Sequence, residues 1–291
     1  MRFLFLGDVV GGPGRRILSL ALPRLIPRLE IDLVVANAEN VAGGSGITVA
    51  TFEELADAGV DAVTLGDHAY RKDEVQILFE RSASICRPAN FPKDAPGPDS
   101  LVVTARDGTA VGVLTVLGRA FMPPVDCPLR TADRLVATLR AATPLILVDI
   151  HAEATSEKQL LARYLDGRVS AVLGTHTHVP TADEQILPGG TAYQTDVGMT
   201  GPYDSVIGRR YDRVLRNTLT ALPQHFEVAS GDPRISGTLV DLDPITGLAH
   251  NIARLMINRE QADRLARDPR ANIFPMPAHW NPAHRPFIPA R

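Results

Sequence analysis

Eight side chains able to hold a metal ion stand at the ends of five apolar runs. FLFLGD ends in Asp8, VVANAEN in Glu39 and Asn40, AVTLGDH in Asp67 and His68, and LILVDIH in His151; AVLGTHTH carries His176 and His178. The carboxylates are hard oxygen donors, Asn40 offers a neutral amide oxygen, and the histidines are borderline nitrogen donors. A mixed nitrogen and oxygen set without thiolate suits Mn, Fe, Zn or Co rather than a structural zinc or a calcium. Seven of them (Asp8, Glu39, Asn40, Asp67, His151, His176, His178) exceed what one ion takes. They suffice for two ions about 3.5–4 Å apart if one carboxylate bridges. Such a pair lowers the pKa of a bound water and clamps phosphate oxygens, which is hydrolytic chemistry.

Taken singly, each residue has an ordinary structural alternative. Asp8 could cap a turn or helix, Asn40 could shape the turn before Gly43 and Gly44, and His151 could be a hydrogen-bonded core histidine. His176 and His178 say more. Two residues apart, they face one side of an extended segment, or splay toward neighbouring ions from a turn. Adjacent Glu39 and Asn40 could both reach a centre only from an irregular loop. Five strand tips sharing the property point to convergence on one polar centre. Gly43-Gly44-Ser45-Gly46 lacks the lysine and spacing of a nucleotide-binding loop. It reads as a tight turn passing close to the site rather than as a phosphate cradle.

The elements that must position these residues alternate. Met1–Leu6, Asp32–Asn37, Asp61–Leu65, Leu145–Ile150 and Ser170–Leu173 read as strands, and Arg15–Leu29 as a helix that Pro23 should kink or split. Thr51-Phe-Glu-Glu54 has the pattern of a capping box, with Gly59 as the stop of its helix. Asp73–Glu80, Thr131–Ala141 and Ser156–Leu165 read as helices, and Leu101–Arg106 with Ala110–Leu117 as a hairpin around Asp107-Gly108. Thr191–Val197, Phe226–Val228 and Gly237–Leu242 read as later strands. From about residue 268 six prolines predict an extended tail. The reading is one α/β domain over residues 1–291, with two stacked sheets and helices outside.

The bulk numbers agree with a globular protein: 291 residues, 45% hydrophobic, net charge −3. The near balance of charge predicts no extended nucleic-acid surface and no attraction to anionic membrane. An anionic substrate must be held locally. No apolar stretch approaches the roughly 18 residues of a membrane span. Cys86 and Cys127 form no CxxC pair, and the expected location is the cytoplasm. Oligomeric state is open; the tail could lie across a contact between copies.

At these residues the chain resembles the calcineurin-like metallophosphoesterases, and more narrowly their bacterial YmdB-like branch. The narrower likeness rests on NAEN, RPAN (Arg87–Asn90), HAEATSEK (His151–Lys158), GTHTHV (Gly174–Val179) and TDVGMTG (Thr195–Gly201), spread over residues 1–201. The resemblance implies a four-layer αββα sandwich of two mixed sheets. It implies one ion on Asp8, Glu39, Asn40 and His178, and another on Glu39, Asp67, His151 and His176, with Glu39 bridging. It implies that His68 is not a ligand but the acid for the leaving oxygen, where the residues alone also allow a histidine that merely orients Asp67. The implied substrate is a small phosphodiester such as a 2′,3′-cyclic nucleotide, and the implied ions are Fe or Mn, with Zn a third choice. Arg87 and Asn90 could touch substrate or shape a loop around Pro88; Glu153 and Asp149 are undecided.

Two departures from the general family stand out. Val10 occupies the place of its first histidine. Asp67 stands where asparagine is usual, which lowers the charge of the loaded centre by one and predicts tighter metal retention, a less acidic bridging water and weaker attraction for phosphate. Two other functions fit the same residues: a binuclear amidase or peptidase, and a regulatory protein with a non-catalytic metal centre.

Overall fold

The structure is a computed structural model that describes residues 1–269. β1 (Arg2–Leu6) and the two-residue β2 (Asp8–Val9) lead into α1 (Gly11–Arg28), followed by β3 (Leu33–Asn37), α2 (Val49–Ala58), β4 (Ala62–Thr64), α3 (Val75–Arg81) and β5 (Ile85–Cys86). The hairpin of β6 (Ser100–Thr104) and β7 (Ala110–Leu117) precedes α4 (Pro128–Leu139), β8 (Ile146–His151), α5 (Thr155–Leu165) and β9 (Ala171–Thr175). Then come β10 (Gln185–Ile186), β11 (Ala192–Gln194), β12 (Met199–Asp204), α6 (Tyr211–Thr220), β13 (Gly231–Leu242), β14 (Ala249–Asn258) and α7 (Arg259–Arg267).

Two mixed sheets result. The first orders its strands β2-β12-β13-β1-β3-β4-β5, with β14 also paired to β13; the second runs β10-β11-β9-β8-β7-β6. β1, β3, β4 and β5 are parallel neighbours, as are β7, β8, β9 and β11. β13 enters the first sheet antiparallel to β1.

The strands alternate in a way that fixes the layers. In β1, Phe3 and Phe5 belong to the core between the sheets, and Leu4 and Leu6 to the core under α1, α2 and α7. β3 divides likewise, Leu33 and Val35 against Val34 and Ala36. In β8, Leu147 faces the first sheet while Ile146, Val148 and Ile150 pack under α4 and α5. Both faces of both sheets are therefore covered, giving helices, sheet, sheet, helices. A slip of one residue in register would exchange the two faces of a strand.

Several expectations need correction. Pro23 does not split α1, which runs on through Pro23 and Pro27 with Ile17, Leu18, Ala21, Leu22 and Leu25 buried; burial of that apolar face outweighs the lost backbone bond. The cap of α2 is Thr48, one turn earlier than expected, with Thr51 closing the box. Glu54 is thereby left to pair with Arg15 at 2.5 Å. Phe226–Val228 forms no strand, only a single bridge between Val228 and Arg209. The proline-rich tail lies, from residue 270 on, outside the described residues.

Candidate metal centre

The inward face of each central strand changes from apolar to polar toward its C-terminal end. Past Leu33 and Val35 comes Asn37; past Ala62 comes Thr64; past Leu147 comes Asp149; past Ala171 and Leu173 comes Thr175. These four polar residues are buried and meet between the sheets. Asp149 accepts from Asn37 Nδ2 (3.0 Å), Thr64 Oγ1 (2.7 Å) and Thr175 Oγ1 (2.7 Å). Burial pushes the Asp149 carboxyl up to about 6, so it is anionic at neutral pH. One step further along the same faces stand the candidate ligands.

The Thr175 hydroxyl gives its proton to Asp149, so its oxygen accepts from His151 Nδ1–H at 2.8 Å. That fixes the tautomer of the fully buried His151 and turns the Nε2 lone pair into the centre. Nε2 lies 3.4 Å from Glu39 Oε2, 3.1 Å from Asp67 Oδ1 and 3.1 Å from His176 Nδ1. His176 Nδ1 is 3.4 Å from Asp67 Oδ1, while its Nε2 lies 3.3 Å from Glu153. Glu39, Asp67, His151 and His176 each bring a donor atom within 4.8 Å of the others.

A second group adjoins through Glu39. His178 Nδ1–H donates to the Ile207 carbonyl at 2.8 Å, so its Nε2 carries the lone pair. That Nε2 is 3.3 Å from the Asn40 amide and 3.8 Å from Asp8 Oδ1. Asn40 also contacts Glu39 Oε1 at 3.1 Å, and its other end meets His68 Nδ1 at 2.8 Å. Asp8 Oδ2 accepts from His176 N at 3.0 Å, but Asp8 Oδ1 is buried without a partner. An orphaned buried carboxylate oxygen is expensive. A cation between Asp8, Glu39 and His178 would satisfy it, and a half-turn of the Asn40 amide would add its oxygen.

The backbone is shaped for this. His176 and His178 have φ of 96° and 65°, a conformation that costs a non-glycine residue about 1–3 kcal/mol and gathers at functional sites. A Cβ at Gly66 would overlap both the Glu39 carboxylate and the His151 ring, so only glycine lets the loop carrying Asp67 pass. The His176–His178 loop is anchored from below. Lys158, fully buried, donates to Thr175 O and Asp196 Oδ2, each at 2.7 Å. Asp196 in turn accepts from Thr177 N (3.1 Å) and Thr177 Oγ1 (2.7 Å).

Charge is concentrated accordingly. Glu39 is fully buried, which alone would raise its pKa, yet His151 and His68 hold it far below the usual carboxylate range. Asp67 is held down by His151 and His176 against the same opposing effect of burial. Burial disfavours the His151 imidazolium, but Glu39 and Asp67 raise its pKa well above the ordinary value. Protons are drawn to the place where cations would sit. His68, hydrogen-bonded to Glu39, is raised as well. It lines the mouth of a cavity of about 420 Å³ together with Glu39, Asn40, Glu153, His176 and His178.

All eight residues singled out by type and spacing are thus brought together. Among the described residues, Arg87 and Asn90 make no hydrogen bond to any of the eight. Arg87 donates to Gly97 O and Pro88 O, and Asn90 clamps Leu117 and the Asp126 carbonyl. Both side chains are buried and hold loops in place. Sequence reasoning missed Lys158 and Asp196, whose blocks HAEATSEK and TDVGMTG turn out to meet under the histidine loop.

Comparison with known proteins decides the family. The family model described as YmdB-like protein matches residues 4–255. The chain belongs to the YmdB-like family. It is 45% identical over 258 residues to a Bacillus subtilis protein named 2′,3′-cyclic-nucleotide 2′-phosphodiesterase, covering 89% of this chain and 97% of that one. Among solved structures it is similar to a hypothetical protein of Thermus thermophilus (TM-score 0.83, 45% identity, covering 89% of this chain and 99% of that one). It is also similar to a phosphatase of Mycoplasma pneumoniae (TM-score 0.82, 34% identity, 89% and 93% covered). This YmdB-like chain is a hydrolytic phosphoesterase built on two stacked mixed sheets, and its His/Asp/Glu cluster could hold metal. Among the described residues no helix is long and apolar enough to cross a membrane.

Proposed function

We propose that the chain is a binuclear metal-dependent phosphodiesterase acting on 2′,3′-cyclic nucleotides, with His68 as general acid. The observation that carries the reading is the buried Asp8 Oδ1 without a hydrogen-bond partner, 3.8 Å from the Nε2 lone pair of His178. This donor set fits two cations. Glu39, Asp67, His151 and His176 would hold one; Asp8, Glu39, Asn40 and His178 would hold the other, with Glu39 shared. Fe or Mn suits the oxygen-rich set, and Zn is compatible. When bound, such a pair supplies a water of lowered pKa and positive charge for the phosphate oxygens.

The protein's own residues do the rest. Asn37, Thr64 and Thr175 fix Asp149, which through Thr175 keeps His151 in its ligating tautomer. Glu153 orients His176 from the solvent side. With Glu39 bare, its contact raises the His68 pKa, and the His68 ring stands in the wall of the cavity. This half-exposed ring can deliver a proton to the 2′ oxygen as the ester bond breaks and take one back afterwards. The name of the 45% identical relative supports a 2′,3′-cyclic substrate and release at the 2′ position.

Purified protein assayed with 2′,3′-cyclic AMP before and after chelation tests this, with metal content measured on the same sample. We expect two ions per chain, turnover that chelation abolishes, and a 3′-nucleotide product. No turnover of any phosphodiester by metal-loaded protein would overturn the reading.

A further inference from the structure

Arg209 stands in the wall of the same cavity as Glu39, Asn40, His68, His176 and His178. It comes two residues after Ile207, whose carbonyl orients His178. Its guanidinium lies against the glycine loop that follows Asn40, donating to Gly44 O and, from Nη1, to Phe226 O at 2.9 Å. Gly44 has φ of +91°, and a Cβ there would overlap the guanidinium. The glycine run read from sequence as a plain turn is therefore also the seat of an arginine.

The charge on Arg209 is not compensated. Both of its hydrogen-bond partners are neutral carbonyls. Among the described residues no carboxylate lies within ion-pair distance of it, whereas Arg2, Arg15, Arg106, Arg168, Arg210 and Arg234 each have one. Arg209 is half-buried, and burial alone lowers its pKa. A guanidinium has five N–H donors, and two are used. A partly desolvated cation with donors to spare, in the wall of a cavity, is built to receive an anion.

On the function proposed above, on which this inference rests, the cations would neutralise the scissile phosphate, which leaves Arg209 for a second anion. A bare 2′,3′-cyclic nucleotide carries no second charge. The next anion on such a molecule is a phosphate on its 5′ oxygen. We propose that Arg209 is a specificity-determining residue that binds this 5′-phosphate, so that the site prefers cyclic nucleotides carrying it. Free nucleotides can bear the group as a monoester, and the 3′ ends of RNA fragments bear it as a diester. The reaction class that makes such ends is attack of an RNA 2′-hydroxyl on its own phosphate, which forms the cyclic diester and expels the next 5′-hydroxyl.

The test compares wild type, Arg209→Gln and Arg209→Lys on three substrates: adenosine 2′,3′-cyclic phosphate, its 5′-phosphorylated form, and the dinucleotide ApA ending in a cyclic phosphate. Wild type should favour the 5′-phosphorylated compound by about 10- to 100-fold in kcat/KM, expressed in KM, as one charge-assisted contact gives. In Arg209→Gln the ratio should fall to within about twofold, and Arg209→Lys should restore part of it. A matching advantage for the dinucleotide assigns the site to RNA ends; an advantage confined to the monoester assigns it to free nucleotides. No preference in wild type, or equal loss on all substrates in Arg209→Gln, overturns the inference. Binding of adenosine 5′-phosphate to the metal-loaded protein, against adenosine, is a readout without turnover. Tighter binding that depends on Arg209 would uphold the inference even if hydrolysis failed, and equal binding would sink it.

Discussion

Replacing Lys158 with methionine should loosen the histidine loop without touching a ligand. The side chain is fully buried, and methionine approximates its length while removing the ammonium that bridges Thr175 O and Asp196. Removing one partner of a buried ion pair costs about 3–5 kcal/mol, because the other charge stays behind. Asp196 keeps three donors, from Thr177 N, Thr177 Oγ1 and Gly198 N, so the lower end, about 3 kcal/mol, is expected. At about 2–4 °C per kcal/mol for a chain of this size, Tm should fall by roughly 6–12 °C. Thr177 sits between His176 and His178, whose left-handed backbone relaxes when its anchor slackens, so the variant should also lose metal faster on dialysis. Thermal melts of the loaded protein, followed by metal analysis, measure both effects. Adding Asp196→Asn should recover part of the loss, since the stranded charge is then gone. A drop below about 2 °C with metal retention unchanged would refute the anchor, because stability at that level is within ordinary surface substitutions.

His68→Ala should retain both ions yet lose about 10²- to 10⁴-fold in kcat, the usual weight of a positioned acid; loss of metal would instead make His68 an orienting partner of Asp67. Asp67→Asn should add one positive charge to the loaded centre, moving the acidic limb of the pH–rate profile to lower pH and weakening metal retention; an unshifted profile, or one moved upward, contradicts this. Chelation should destabilise the protein more at high pH. In the metal-free protein the raised His151 pKa gives stability that is full below about 6.5 and is lost as pH rises through the higher folded value, while bound cations replace those protons. The Tm gap between loaded and chelated protein should therefore widen from pH 6 to pH 9, and a constant gap would count against the cluster as the binding place.

The candidate ligands were legible because strand-end polar residues carry two signals at once, an apolar run and a donor atom. Asp8, Glu39 and His151 each close a stretch whose burial could be read from composition. The helices that went unrecognised lacked such contrast. α7 opens with Asn258 and Gln261, a capping box visible afterward, but five of its nine residues are charged and only Ala262 and Leu265 are buried. α6 buries none of its residues, so no core stripe marked it strongly. Lys158 could not be found from sequence, since a lysine at a helical position reads as solvated. Only the meeting of two distant segments makes its burial tolerable. Asp149 was undecidable for the same reason: its three donors come from β3, β4 and β9.

The late strand β13 lies in the middle of the first sheet, between β1 and β12. Every candidate ligand has been translated by residue 178, yet Arg2–Leu6 waits for Gly237–Asp241 before its second edge is paired. A growing chain thus passes through a stage with its chemistry already encoded and an apolar strand edge still open to strangers. Premature stops between these points should yield aggregates rather than small active fragments.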